Sequence, residues 1–423
     1  MAYAVRRRLK LYEPYTVMLA VYIAFIVSAF ILESPGELLC GFLRILGSKS
    51  LLITDYIAVG GIGATLLNAA FVGSAGVLML TVSKIKPNGA TVMAMWLTTG
   101  FAFFGKNIFN MIPLTVGVWL FSKYEKAPFA NYSLAALLVA TVSPAVSEVS
   151  FLGIFSRPAE ILLGVLFGFL IGFIFPSVSS GAVRLHGGYN LYNMGFAGGL
   201  ICMVAYSVMK SAGLDIETAR ILSEGNNILL ASGLYSLSAG LLCCGLFLGS
   251  ARENLRGFAA IFKRSGRLVS DFFYDHGNGI YLNMAALCAF STTLVLALGG
   301  QLSGPVIAGI FTVTAFGSFG KHLKNVIPIL LGAFLFVLFS KWDENFSVKM
   351  ITVLFSTGLA PVAGQFGWLW GAAAGFLHMT VAMHTAHLSG GMNLYNNGFA
   401  AGFAAMFLLP LITAFRKGKT NEG

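Results

Sequence analysis

The sequence predicts an all-α polytopic membrane protein made of two homologous halves of inverted topology. Three observations carry that expectation. The first is composition. Of 423 residues, 57% are hydrophobic and 10% charged, with a mean hydropathy of +0.82. A soluble domain carries about 25% charge, and no soluble core buries so much apolar surface under so little polar skin. The second is the spacing of charge. No Asp, Glu, Lys or Arg occurs from Tyr56 to Ser83, from Gly225 to Ala251, from His276 to Gly320, or from Met350 to Phe415. A helix crosses a bilayer in about 20 residues, so the last of these gaps holds about three spans. The third is an internal duplication. Residues 187–199 read GGYNLYNMGFAGG and residues 390–402 read GGMNLYNNGFAAG. Upstream, GKNIFNMIP at 105–113 is matched by GKHLKNVIP at 320–328. Asn68 aligns with Asn283, Pro144 with Pro361, and Ser122-Lys123 with Ser340-Lys341 at nearly the same offset. Two ordered blocks at a near-constant spacing indicate a repeat.

The elements follow in chain order. Residues 1–50 form an N-terminal span and connector. The apolar run Tyr15 to Leu32 follows Arg6, Arg7, Arg8 and Lys10 and reads as a retained span rather than a cleaved leader. The first membrane repeat covers 51–211. An external loop, a linking span near 228–249 and a basic linker fill 212–269. The second repeat covers 270–415, and 416–423 is a tail. Each repeat opens with a span (57–83; 279–299). Two short apolar arms follow (89–104 and 107–122; 304–319 and 325–340). An arm of about 15 residues is about 22 Å long, short of the ~30 Å hydrocarbon core. The arms form either a re-entrant hairpin or two short tilted spans. Three longer spans complete each repeat (130–152, 160–181, 188–210; 347–366, 368–387, 391–414). The count is about 10–14 membrane segments.

The net charge of +11 is an orientation signal rather than a nucleic-acid footprint. Its cations gather in the N-terminal segment, in the linker Arg252 to Arg267, and in the tail Arg416 to Lys419. All three are expected in the cytoplasm. The second repeat then starts and ends inside. The first has one extra span on either side, so it starts and ends outside. The acidic stretch Asp215 to Glu224 falls outside. The chain is expected in the inner (plasma) membrane, multi-pass, with both termini cytoplasmic.

Four sets of residues are candidates for chemistry. In the GG-x-N-L-Y-N block, two glycines start a helix on which Asn190 and Asn193, and likewise Asn393 and Asn396, lie three apart and share a face. Their carboxamides suit either a polar solute or interhelical hydrogen bonding. Gly195 and Gly199, with Gly398 and Gly402, form small-xxx-small faces for close packing. In the G-K-x-x-x-N-x-I-P block, Lys106 and Lys321 sit between apolar arms, accompanied by Asn110 and Asn325. A lysine in the bilayer costs several kcal/mol unless paired or solvated, which points to an anion if the arms are re-entrant and to a surface turn if they span. Pro113 and Pro328 start the second arm, whose N-terminus favours the same anion. Glu148 is an unduplicated acid near the end of an apolar run, placed to pair with Lys106, to carry a proton or to cap a loop. His378, His384 and His387, with His186 and His322, lack any metal-ligand spacing and suit bundle hydrogen bonding or a pH-sensitive gate. The five cysteines read as small hydrophobes without disulfide or zinc spacing. No cofactor or metal is predicted.

With the block GG-x-NLYN-x-GFA ending each half, the chain resembles a bacterial membrane-protein family with two tandem copies of domain of unknown function 1576. That resemblance implies a polytopic inner-membrane protein and supplies no substrate. A second likeness is to urea-channel-type proteins, which also have inverted halves, half-spanning helices and a Gly-Tyr-Asn element like Gly188-Tyr189-Asn190. Met392 departs from it in the second copy.

The expected function is a transporter or channel for a small polar solute, anionic or neutral, passive or ion-coupled rather than ATP-driven. Its site lies between the halves near the midplane and is lined by Asn190, Asn193, Asn393, Asn396, Lys106, Lys321, Asn110, Asn325 and Glu148. Its partners are a small-molecule solute and the lipid bilayer, without nucleic acid; a homo-oligomer stays open. The alternatives are a membrane-embedded enzyme using His384, His387 and Glu148, and a non-transport scaffold.

Overall fold

A computed structural model describes residues 13–421 apart from 215, 217, 219, 269, 342 and 343. The basic N-terminal segment and the acidic residues Asp215 and Glu217 lie outside the described residues. The described residues form helices joined by loops, without a named strand, an all-α polytopic membrane protein. Nine of its helical segments are long and apolar enough to cross a membrane.

Helix α1 (Glu13–Leu32) is the most exposed of these, and its lipid-compatible surface is uniform rather than striped. Ser34 and Glu37 stop it by forming a capping box for α2 (Pro35–Leu46). The Ser34 hydroxyl and backbone hold the Glu37 carboxyl below its usual range. Helix α2 is amphipathic, burying Leu38, Gly41 and Ile45 while Leu39 and Leu43 stay exposed. A short helix α3 (Tyr56–Gly60) leads into α4 (Ile62–Val82). Glu33 accepts from the backbone N–H groups of Gly63 and Ala64 and so caps α4.

The arms of the first Gly-Lys block are α5 (Gly89–Phe101) and α6 (Ile108–Tyr124). Every residue of α5 except Ala90 is buried, and so is the turn from Ala102 to Asn107. The next span, 129–150, is broken in its middle. It comprises α7 (Ser133–Leu138), a 3-10 turn (Val139–Val142) and α8 (Ser143–Ser150). Pro144 opens α8 at a position where its missing N–H costs nothing, which is why the helix restarts there. Helices α9 (Arg157–Leu185) and α10 (Asn193–Ser211) complete the half.

The second half repeats this plan. Helices α11 (Asn227–Phe247), α12 (Ala251–Ile261), α13 (Phe272–His276) and α14 (Gly279–Ala297) correspond to α1 to α4. The arms are α15 (Gly304–Ala315) and α16 (Leu323–Phe339). The broken span is α17 (Phe346–Ser356), a 3-10 turn (Thr357–Leu359) and α18 (Ala360–Phe366), restarted by Pro361. Helices α19 (Trp368–Leu388) and α20 (Asn396–Asn421) close the chain. The duplicated unit is therefore larger than 51–211 and 270–415. The spans at 13–32 and 227–247 open the two repeats, α1 packing on α4 as α11 packs on α14.

The arms form hairpins that return to the side they came from. Asn110 donates to Ser147, Thr115 donates to the Ala136 carbonyl, and Phe121 packs on Tyr132. Helix α6 thus runs antiparallel to α7 and α8. The buried turn is pinned by Asn68, which donates to the carbonyls of Ala102 and Lys106. Asn68 is six residues into α4, so the turn stops about 9 Å short of that helix's end. Asn283 does the same for Gly317 and Lys321.

The halves meet through reciprocal contacts. Helices α5 and α15 pack antiparallel in the centre. Gly89 donates to Asp271, and Gly304 lies against Asp55. Each aspartate caps the buried arm of the other half, a cross-link that burial alone would not supply. Helices α10 and α20 also cross antiparallel, Gly199 against Phe399 and Gly402 against Phe196. Contacts made by one half are thus repeated, with the roles exchanged, by the other.

Candidate functional site

The loops before α10 and α20 explain the duplicated block. Gly187, Gly188, Gly390 and Gly391 all have positive φ, a conformation that glycine adopts without strain. They turn the chain back so that each NLYN loop reaches into the other half. Leu191 donates to the Gly358 carbonyl at 2.9 Å, and Leu394 donates to the Thr141 carbonyl at 2.8 Å. Each loop therefore satisfies a backbone carbonyl freed by the broken helix of the other half.

The asparagines hold these loops. Asn190 is in the loop, and Asn193 is the first residue of α10, so the two do not share a helical face as the spacing suggests. Asn190 donates to the Gly398 carbonyl and accepts from the Tyr192 N–H. Asn393 donates to the Gly195 carbonyl and accepts from the Tyr395 N–H and the Thr141 hydroxyl. Asn193 bonds His186 and the Ser179 carbonyl, while Asn396 bonds Thr385. In this conformation these amides are spent on the protein, the interhelical of the two roles their chemistry allows. Asn110 and Asn325 are also fasteners. Each accepts from the N–H three residues before it and donates to the Gly105 or Gly320 carbonyl, locking the hairpin turn.

The lysines differ from the asparagines. Lys106 and Lys321 are 1% and 0% exposed, inside the protein and not in surface turns. From the hairpin turns both side chains reach back to the breaks in the spans. Lys106 Nζ donates to Thr98 Oγ1 at 3.3 Å and to the Leu137 carbonyl at 3.4 Å. Lys321 Nζ donates to Thr357 Oγ1 at 2.8 Å and to the Tyr192 hydroxyl, and lies over the rings of Tyr192 and Phe316. Leu137 and Thr357 are near the middle of the spans 129–150 and 346–366, so both Nζ atoms lie at mid-span. Among the described residues neither has a carboxylate within ion-pair distance.

Glu148 does not pair with Lys106. Its Oε1 meets Lys49 at 3.3 Å, and its buried Oε2 is left without a hydrogen bond. The sequence could not reveal this because Lys49 is 99 residues away, in the loop after α2. The histidines do not converge. His384 and His387 are exposed, His378 bonds Asn397, and His322 bonds the Arg264 carbonyl. Among the described residues no group of three or more His, Cys, Asp or Glu stands ready to hold a metal.

Two tyrosines of the duplicated block, to which the sequence reading gave no role, occupy the centre. The rings of Tyr192 and Tyr395 are 4.4 Å apart. Phe101, Phe316 and Phe355 surround them at 5.1–6.2 Å. The centre is thus filled with aromatic rings flanked by the two lysines. A cavity of 680 Å³ lies elsewhere, between α1 and α11, and its lining carries no charge.

A family model described as protein of unknown function, DUF1576, matches residues 34–211 and 250–414. No curated protein and no solved structure matches the chain. The first matched segment runs from α2 to α10 and the second from α12 to the body of α20, the same plan twice. With one copy of the domain in each half, the chain belongs to the DUF1576 family.

Proposed function

We propose that the chain is a membrane transporter or channel for a small polar solute that is anionic at the site. Passage takes place between two inverted-topology repeats near the bilayer midplane. The observation that carries this reading is the pair of buried lysine side chains, each beside a break in a span and neither facing a carboxylate. A buried charge without a counter-charge costs several kcal/mol, and a fold keeps two of them where they serve a ligand or an ion. Discontinuous helices with freed backbone groups are the usual construction of solute sites in secondary transporters. The antiparallel crossings at the centre support the inverted relation, since an axis perpendicular to spans lies in the membrane plane. The cations at Arg252, Arg256, Lys263, Arg264 and Arg267 support a cytoplasmic linker, and with it cytoplasmic termini in a plasma membrane.

The reading is tested in proteoliposomes by swelling against gradients of small neutral and anionic solutes. Lys106→Met is expected to slow entry of anions at least tenfold and that of neutral solutes less. Equal loss for both classes would remove the anionic part of the reading. One observation favours a second reading, a non-transport scaffold: the centre is packed with aromatic rings. A wild-type protein that passes no solute supports the scaffold.

A further inference from the structure

Helices α2 and α12 hold the same place in the two halves but present different chemistry. Ser34 and Glu37 at the start of the first recur as Ser250 and Glu253 at the start of the second, and Gly41 recurs as Gly257. Each helix crosses the end of a span. Gly41 lies against the Gly60 carbonyl and Ala64 at the start of α4, and Gly257 lies against the His276 carbonyl just before α14. Gly279, the first residue of α14, meets Asn254 and Phe258 in turn. Asn254 also donates to the carbonyls of Gly245 and Leu248 at the end of α11. Helix α12 therefore lies across the ends of two spans, at the level of the membrane surface.

Its outward face is cationic. Arg252, Leu255, Arg256 and Ala259 are exposed and follow the spacing of one helix face, and Lys263 continues the row just past the helix end. The matching positions on α2 are Gly36, Leu39, Cys40, Leu43 and Gly47. The leucine is common to both copies, whereas the cations of this row belong to α12 alone. Neighbouring cations are already committed. Arg264 pairs with Asp275, and Arg267 donates to the Gly187 carbonyl and lies over Tyr189. Among the described residues Arg252, Arg256 and Lys263 have no ion pair, not even with Glu253 on the same helix.

Uncommitted cations in a row with a leucine that is 50% exposed, where spans end, match a phospholipid surface. Guanidinium forks take phosphate oxygens in pairs, while their stems and the leucine rest among the upper acyl chains. A water-soluble anion would gain nothing from the leucine, and in water the exposed cations are screened by salt.

We propose that α12 binds the headgroup phosphates of anionic phospholipids through Arg252, Arg256 and Lys263, with Leu255 inserted beside them. Helix α2 makes the same insertion without the headgroup preference. The inference stands whether or not the chain transports a solute.

The test is thermal unfolding of the full-length protein in detergent. Short-chain phosphatidylglycerol, phosphatidylcholine of the same chain length and glycerol phosphate are titrated separately. Phosphatidylglycerol is expected to raise the midpoint in a saturable way, phosphatidylcholine much less, and glycerol phosphate not at all. The triple variant Arg252→Gln, Arg256→Gln, Lys263→Gln is expected to keep the lipid-free midpoint, because these side chains are exposed and unpaired. It is expected to weaken the apparent affinity for phosphatidylglycerol by about tenfold or more. The charge-matched control Arg44→Gln, Lys84→Gln, Lys86→Gln, at exposed positions elsewhere, is expected to keep the wild-type affinity. Four results would overturn the proposal. They are an equal response to the two lipids, a response to glycerol phosphate as strong as to the lipid, wild-type affinity in the α12 variant, and an equal loss in the control, which would assign the effect to net charge.

Discussion

Lys106→Met is expected to make the protein more stable and less active at once. Methionine keeps the length and the apolar stem of lysine and removes the ammonium. The two hydrogen bonds lost are long, at 3.3 and 3.4 Å, and their acceptors have other partners: Thr98 donates toward Leu137, and the Leu137 carbonyl belongs to a helix. The desolvation cost removed is larger than those contacts. The expected gain is about 1–3 kcal/mol, in line with replacing buried charge by well-packed apolar groups. Unfolding of purified wild type and variant measures it. A lysine that only fastened the hairpin would give the opposite sign, because its removal would loosen the turn. Lys321→Met is expected to gain less, since Tyr192, Thr357 and two aromatic faces already compensate that ammonium.

The second large effect is steric. A Cβ built on Gly199 would lie 2.3 Å from the Phe399 ring, and one on Gly402 would lie 2.3 Å from Phe196. These glycines let α10 and α20 cross closely, and both loops that serve the broken spans hang on that crossing. Gly199→Leu is expected to cost about 3 kcal/mol or more, the upper range for overpacking a core. Gly233→Leu on α11 is the matched control, with nothing within 4 Å of the added carbon. It is expected to change stability by less than about 0.5 kcal/mol. The yield of monodisperse protein and its unfolding midpoint separate the two. Similar behaviour of both variants would mean that the crossing does not hold the halves together.

Much of this architecture is legible in the sequence because it rests on short-range signals. Composition and charge gaps give the spans. The Gly-Lys and GG-x-NLYN blocks align by inspection and give the repeat, while the short arms leave a hairpin and two tilted spans equally open. The repeat's opening spans, α1 and α11, escape because their sequences have diverged and only their packing is alike. The broken spans are harder to see, since 129–150 and 346–366 are as hydrophobic as intact helices. Pro144 and Pro361 are their local marks, and a proline also suits an ordinary kink. What joins the site is long-range. Leu191 meets Gly358, Leu394 meets Thr141, and Asp55 and Asp271 cap arms of the opposite halves. No local spacing encodes such pairs. The asparagines drew the functional reading because amides in apolar spans stand out, whereas the tyrosines between them were given no role. In the folded chain the amides brace the loops, and the tyrosines meet the lysine site.

Anion-evoked current on a solid-supported membrane tests the central claim, that the two mid-span lysines handle an anion. Proteoliposomes carrying the wild type are expected to give a saturable current on a jump from gluconate to nitrate or formate. The double variant Lys106→Met, Lys321→Met is expected to remain folded and to lose at least nine-tenths of it. An undiminished current in the folded double variant would contradict the account.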